Sequence, residues 1–346
     1  MAGEKEGLIL WPCVEIGNEK VDPLRDSRVA KVSDSSVTWS FGQEGEEKHK
    51  RLESAVIIAT NTLGQFFVVE RWNVDCIKVF DPTGTFLHSF GFPTEDRDLR
   101  RKRVNAVATD GDDNIYVLVN GEIDRTAICV TYVFNKQASF PHTLFVDYEF
   151  YGYTVKEKNN YLLLPGKFAC SSKSSLDTSL FEDEKDNMYV RVVRKKDGAY
   201  IGSFSEKTLR IIKGITIIDD GSIMVLDNNS FIHVFADITA DNDDGVDHDG
   251  PYHPASVSRY LRRFPVAPGA CAIAFHWMTG HMIITSEAPE GRTQVLFYSK
   301  EGDLERSIDL ELEKYDQITA ATVTTNGRIR VTTDDYENQK GKVLVL

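Results

Sequence analysis

The stretch GQFFVVERWNVDCIKVFDPTGTFLHSFG, residues 64–91, decides the fold. A glycine turn opens onto the apolar run of residues 66–69, a polar connection follows, and a second apolar run begins at Cys76. The tetrad Asp81, Pro82, Thr83, Gly84 is hairpin chemistry, because proline pre-sets φ and glycine is free to take positive φ. A third strand, TFLHSF, returns from it, and SAVIIAT (residues 54–60) supplies one more strand upstream. Four short antiparallel strands in about 40 residues are the size of one blade in a radial β architecture.

The same turn followed by an apolar strand recurs as DNIYVL at 113, NNYLLL at 159, GSIMVL at 221, GHMIIT at 280 and GRIRVT at 327. Counted from Gly64, the intervals are 49, 46, 62, 59 and 47 residues. Six units of this period predict an all-β, six-bladed β-propeller. The two long intervals are placed in loop insertions at residues 165–187, rich in Ser and acidic residues, and 236–254, ADITADNDDGVDHDGPYHP. Neither carries enough apolar residues to fold alone. The last unit stops after its third strand, KVLVL, while SVTWSFG (residues 36–42) resembles the fourth-strand segment FLHSFG and precedes the first complete unit. The N-terminal strand is therefore expected to pair with the C-terminal blade and close the ring, leaving no open sheet edge at that junction. The propeller spans residues 36–346, with 1–35 outside it as a linker or extra strand.

Composition narrows the function. The 346 residues carry a formal charge of −13, which repels a polyanion over most of the surface. No stretch reaches the ~20 apolar residues of a bilayer span, and the N-terminal MAGEKEGLILWPCVEIG lacks the h-region and cleavage site of a signal peptide. These features predict a cytoplasmic chain without membrane association. Cys13, Cys76, Cys129, Cys170 and Cys271 are scattered, with no CxxC pair, and read as free thiols.

Residues 64–91 also resemble the NHL repeat: Gly64, an apolar strand, the loop Glu70, Arg71, Trp72, Asn73, then Ile77, Val79, Phe80, Asp81 and Gly84 with Phe86. Glu70 stands where that family usually has Asp. Residues 221–235, GSIMVLDNNSFIHVF, resemble it too, with Asp227 and Asn228 in place. Within the family the chain is similar to the C-terminal propeller of tripartite-motif ubiquitin ligases. That resemblance implies a docking platform for a protein partner or for RNA. The RING cysteine spacing and a coiled-coil heptad run are not found in this sequence, so ligase activity is not carried over.

In propellers of this kind, the loops from second to third strand and from fourth strand to the next blade share the face that usually binds. Expected there are Arg71, Trp72 and Asn73, the basic run Arg97, Arg100, Arg101, Lys102 and Arg103, residues 122–125, Lys207, Arg210 and residues 227–230. Trp beside Arg in a loop fits an interface hot spot, and equally a Trp packed over its own blade. The basic run admits three readings: a solvated structural cluster, a site for an acidic protein partner, or an RNA contact through phosphates. Asp241, Asp243, Asp247, His248, Asp249 and His253 lack EF-hand spacing and read as an acidic loop. His276 and His281 flank the turn WMTG without a third ligand and read as strand-end histidines. No metal, cofactor or small-molecule substrate is expected. Metal-dependent hydrolases and lyases among six-bladed propellers are the rival class, since their ligands come from different blades. Without a G-x-S-x-G elbow, Walker loop, G-x-G-x-x-G or H-E-x-x-H, the expectation is a non-catalytic binder.

Overall fold

The computed structural model describes residues 39–41, 52–53, 55–70, 76–92, 100–123, 126–137, 139, 142–148, 156–158, 160–167, 188–238, 257–287, 291–312, 316–335, 337–338 and 340–346. They form six four-stranded antiparallel sheets. Blade 1 is β2 (Ala55–Thr60), β3 (Phe66–Glu70), β4 (Cys76–Phe80) and β5 (Phe86–Gly91). Blade 2 is β6 (Arg100–Thr109), β7 (Ile115–Ile123), β8 (Thr126–Phe134) and β9 (His142–Tyr148). Blade 3 is β10 (Lys156–Lys158), β11 (Tyr161–Lys167), β12 (Met188–Arg194) and β13 (Tyr200–Ser205). Blade 4 is β14 (Ile212–Ile217), β15 (Ile223–Asp227), β16 (Phe231–Phe235) and β17 (Tyr260–Pro265). Blade 5 is β18 (Ala270–His276), β19 (His281–Glu287), β20 (Thr293–Tyr298) and β21 (Leu304–Leu310). Blade 6 is β22 (Asp316–Val323), β23 (Ile329–Asp335), β24 (Lys340–Val345) and β1 (Trp39–Phe41).

Why these residues make blades follows from where each side chain points. Along β3, Phe66 and Val68 enter the core shared with blade 6, whereas Phe67 and Val69 enter the core shared with blade 2. The same split divides Ile115 and Val117 from Tyr116 and Leu118 on β7, and Ile223 and Val225 from Met224 and Leu226 on β15. A strand buried on both faces reads as an unbroken apolar run rather than as an alternation. Six apolar clusters result, one between each pair of neighbouring blades.

Ring closure takes the expected form. β1 pairs antiparallel with β24, Trp39 opposite Val345 and Phe41 opposite Val343. Phe41 completes the cluster between blades 6 and 1, its ring 4.9 Å from Phe80 and 5.8 Å from Phe66. Buried Arg330 lies against the same cluster, its guanidinium 5.0 Å from the Phe66 ring centre, and burial pushes its pKa down to about 10. Inner strands are stitched as well: Thr319 Oγ1 donates to Ala55 O at 2.7 Å across the closing junction, and Thr109 Oγ1 to Thr60 O at 2.5 Å between blades 1 and 2.

The chain's direction gives the disc two unlike ends. Short turns from first to second strand gather at one, the turn face; connections from second to third strand, and from each blade to the next, gather at the other, the loop face. Two boundaries differ from the sequence reading. Strand β11 continues through Pro165 to Lys167, so that insertion begins later than residue 165, because the ladder to β12 still pairs Lys167 with Met188. Arg100, Arg101, Lys102 and Arg103 are the first residues of β6 rather than loop, since β7 is long enough to offer Glu122 opposite Arg100. Among the described residues, no helix is long and apolar enough to cross a membrane.

Candidate functional site: the two mouths of the channel

The innermost strands of the blades surround a central cavity of about 410 Å³. Its wall is mainly backbone and small or apolar side chains, among them Val56, Ala59, Ala106, Ala272 and Ala321, with Thr216, Thr319 and Thr322 between them. Gly214 is part of the packing: a Cβ there would stand 2.7 Å from Ile273 Cγ2, so β14 and β18 approach closely only without one.

At the loop-face mouth the first strands of blades 2 and 4 are entered through basic residues. Lys102 is half-buried and Arg103 exposed on β6; Lys207 is exposed and Arg210 half-buried on the approach to β14; Lys213, on β14 itself, is exposed and lines the cavity. Exposed Ile211 lies between the last two cations. Across the mouth the groups are engaged or acidic. Glu287 Oε1 accepts the Ile318 N–H at 2.8 Å, joining blades 5 and 6, and Asp316 pairs with Lys342 at 2.6 Å. The Cys271 thiol hydrogen-bonds with Thr285, and burial, with Glu287 nearby, pushes it up to about 11 despite Lys213.

Beneath this face, blades 1 and 4, three apart in the ring, carry the same buried acid–base pair. Glu70 ends β3 and takes Lys78 of β4 at 2.9 Å and the Glu53 N–H at 2.6 Å. Asp227 ends β15, takes His233 Nε2 at 3.0 Å, and accepts the N–H groups of Asn229 and Phe231 at 2.9 Å. Both acids therefore hold the entry to a second-to-third-strand connection. These are the two blades whose sequences carry the fuller repeat.

At the turn-face mouth the polar groups bind one another. Asp113 takes the Thr62 N–H and hydroxyl, each at 2.8 Å, tying blade 2 to blade 1. Asp110 takes the Tyr116 hydroxyl at 2.9 Å and Lys195 of blade 3 at 3.2 Å. His276 and His281 stand opposite each other in the β18–β19 register yet turn to separate partners: His276 Nε2 to Gly327 O at 2.8 Å, and His281 Nε2 to Glu305 at 2.7 Å. Among the described residues, no group of three or more His, Cys, Asp and Glu is placed to hold a metal ion.

Of the residues expected to bind, Arg71, Trp72, Asn73 and Arg97 lie outside the described residues, as do the six Asp and His of the acidic insertion and residues 1–35. For Arg100 and Arg101 the description stops at their place in β6. Cys76, Cys129 and Cys271 are free thiols, as their spacing suggested. Sequence reading missed Lys213 and the Trp277–Met278 turn. The signal for the first was a Lys before the small Gly214 on an otherwise apolar inner strand. For the second it was two large apolar residues in a turn whose counterparts in blades 2, 4 and 6 carry none.

No family model matches the chain, and no curated protein matches it. Solved structures do. A glucose dehydrogenase aligns over 85% of this chain and 96% of its own at 12% identity and a TM-score of 0.54. The WD40 β-propeller domain of Doa1 aligns over 89% and 95% at 14% identity and a TM-score of 0.50. The PQQ-bound aldose sugar dehydrogenase of Streptomyces coelicolor aligns over 89% and 96% at 10% identity and a TM-score of 0.54. At such identities the likeness concerns the fold alone. The chain is a six-bladed β-propeller.

Proposed function

We propose that the chain is a non-catalytic interaction platform of the NHL type, acting in the cytoplasm, whose loop face holds an acidic segment of a protein partner. The observation that carries this reading is the basic arc of Lys102, Arg103, Lys207, Arg210 and Lys213 on blades 2 and 4, at the channel mouth of a chain whose net charge is −13. A local charge opposite to the molecule's own steers one kind of partner to one place. The propeller fold, commonly a platform for protein interactions, supports the same reading. The Cys271 thiol, beside the loop-face mouth, is raised by burial away from the activated thiolate range, which fits a binding role better than a nucleophilic one.

The test uses a fluorescent, Glu-rich 20-residue peptide and a single-stranded RNA on the full chain. Replacing Arg103→Glu, Lys207→Glu and Lys213→Glu together is expected to weaken the peptide about tenfold or more, in keeping with rim charges of roughly 0.5 kcal/mol each. Unchanged peptide binding would overturn the reading. RNA binding that exceeds the peptide's and is lost on Arg100→Glu with Arg101→Glu would replace the protein partner with RNA.

A further inference from the structure

The turn face carries a second surface, independent of the basic arc. The four most exposed large apolar side chains among the described residues are Leu63 at 64%, Met278 at 59%, Trp277 at 53% and Leu304 at 52%, and all four lie at this end of the disc. Two of them, Trp277 and Met278, are tied to the blade 6 turn at the channel mouth, and that turn reaches the residue next to Leu63. Trp277 lines the cavity, and its Nε1 donates to Thr324 O at 3.1 Å on blade 6. Met278 lies over Gly327, where a Cβ would stand 2.4 Å from its sulfur. Thr325, on that same turn, reaches blade 1, its Oγ1 3.9 Å from a Cβ position at Gly64, the neighbour of Leu63.

Turn chemistry does not ask for these residues. The corresponding turns of blades 2, 4 and 6 place Gly111 and Asp112, Asp219 and Asp220, and Thr325 and Asn326 at the same two positions. A Trp and a Met left more than half exposed forgo favourable burial, and such a patch beside a mouth is a common form of docking site. The rest of the rim gives the partner its sign. Asp112 and Asp219 are exposed on the turns of blades 2 and 4, facing the apolar arc of blades 5, 6 and 1; Arg328 is an exposed cation on the blade 6 turn.

We propose that the turn-face mouth docks a basic amphipathic protein segment, its apolar side chains on Trp277, Met278 and Leu63 and its Lys or Arg side chains toward Asp112 and Asp219. Gly111, with open space around a Cβ position, stands at the mouth with Thr62 and Thr325. Loop face and turn face then select opposite charges.

The probes are a fluorescein-labelled 16-residue amphipathic peptide of Leu and Lys, and its counterpart with Glu in place of Lys, titrated into the full chain by anisotropy. The Leu/Lys peptide is expected to bind, at least tenfold more tightly than the Leu/Glu peptide. Trp277→Ser with Met278→Ser should weaken it tenfold or more, and Asp112→Asn with Asp219→Asn severalfold. Should the double turn variant fail to fold, Leu63→Ser serves in its place. No binding, equal binding of the two peptides, or binding indifferent to these substitutions overturns the proposal. With p-benzoylphenylalanine in place of Leu63, a crosslink to the Leu/Lys peptide supports it. A crosslink formed instead to a second copy, or to residues 1–38 of the same chain, assigns the patch to another occupant and overturns it.

Discussion

Asp113 adopts a backbone conformation that its counterparts leave to glycine. Its φ is 64°, where Gly64, Gly221 and Gly327 at the same point of their turns have 75°, 85° and 75°. The turn is shared: the residue three earlier accepts the N–H of the left-handed residue, as Asp110 does from Asp113 and Asp81 from Gly84. Side chains at that earlier position repeat the device, Asp81 taking the Thr85 N–H at 2.9 Å and Asp110 the Asn114 N–H at 2.8 Å. Gly84→Ala should cost about 1 kcal/mol or more in urea unfolding, from φ alone. Asp113→Gly should cost about as much for the opposite reason, since it relieves φ and forfeits both Thr62 bonds. These turns also set an acid limit. Burial pushes Asp81 and Asp110 upward, but their hydrogen bonds, from Thr83 and Thr85 to the one and from Asn114, Tyr116 and Lys195 to the other, outweigh it and hold both below the usual carboxylate range. A lowered folded-state pKa stabilises the fold above the unfolded value of about 3.9 and is lost as pH falls through the folded one. Thermal midpoints should therefore drop below about pH 4, and Asp110→Asn should make that drop shallower.

Second strands were the most legible elements, because each meets apolar neighbours on two sides and so writes an uninterrupted run after its turn. FFVV, IYVLV and IMVL announce themselves; outer strands such as β5 and β17, exposed through most of their length, do not. Closure was legible from an omission, a fourth strand missing at one end of the repeat and present at the other. Its energetic weight is concentrated in Phe41. Phe41→Ala should remove roughly 3–5 kcal/mol, and deletion of residues 1–42 should lower the melting temperature sharply by withdrawing both Phe41 and the partner of Val343 to Val345. A truncated chain that melts with the intact one would refute closure by β1. Candidate sites were less legible, because their residues come from blades far apart in sequence. Lys102 and Lys213 share a mouth only after the ring has formed, and nothing in their local context says so.

Over the whole molecule, the opposite preferences proposed for the two ends would have a measurable signature. Contacts of the basic arc with a Glu-rich peptide are exposed and electrostatic, so raising salt from about 0.05 to 0.5 M should weaken them strongly as the screening length shortens. Docking at the turn face would add the apolar contacts of Trp277, Met278 and Leu63 to its exposed Asp112 and Asp219 pairs, so it should fall less steeply over the same range and keep its apolar part, which lets one titration series separate the faces. Failure of the two probes to differ in salt response would mean that they share a surface.

The pairing of Trp39 with Val345 also sets a clock. Roughly 300 residues separate the partners, and a ribosome adding about 5–20 residues per second takes on the order of tens of seconds to make them. Throughout that interval blades 1 to 5 are available to fold, while β1 waits and the Phe66 and Phe80 side of blade 1 lacks its cover from blade 6, Val343 and Ala320. Two nascent chains held close together, as on one messenger, can then complete each other's sixth blade with the same contacts that complete their own. Correct closure is thus a race between the ends of one chain and the ends of two, and the interval of synthesis decides how long that race stays open.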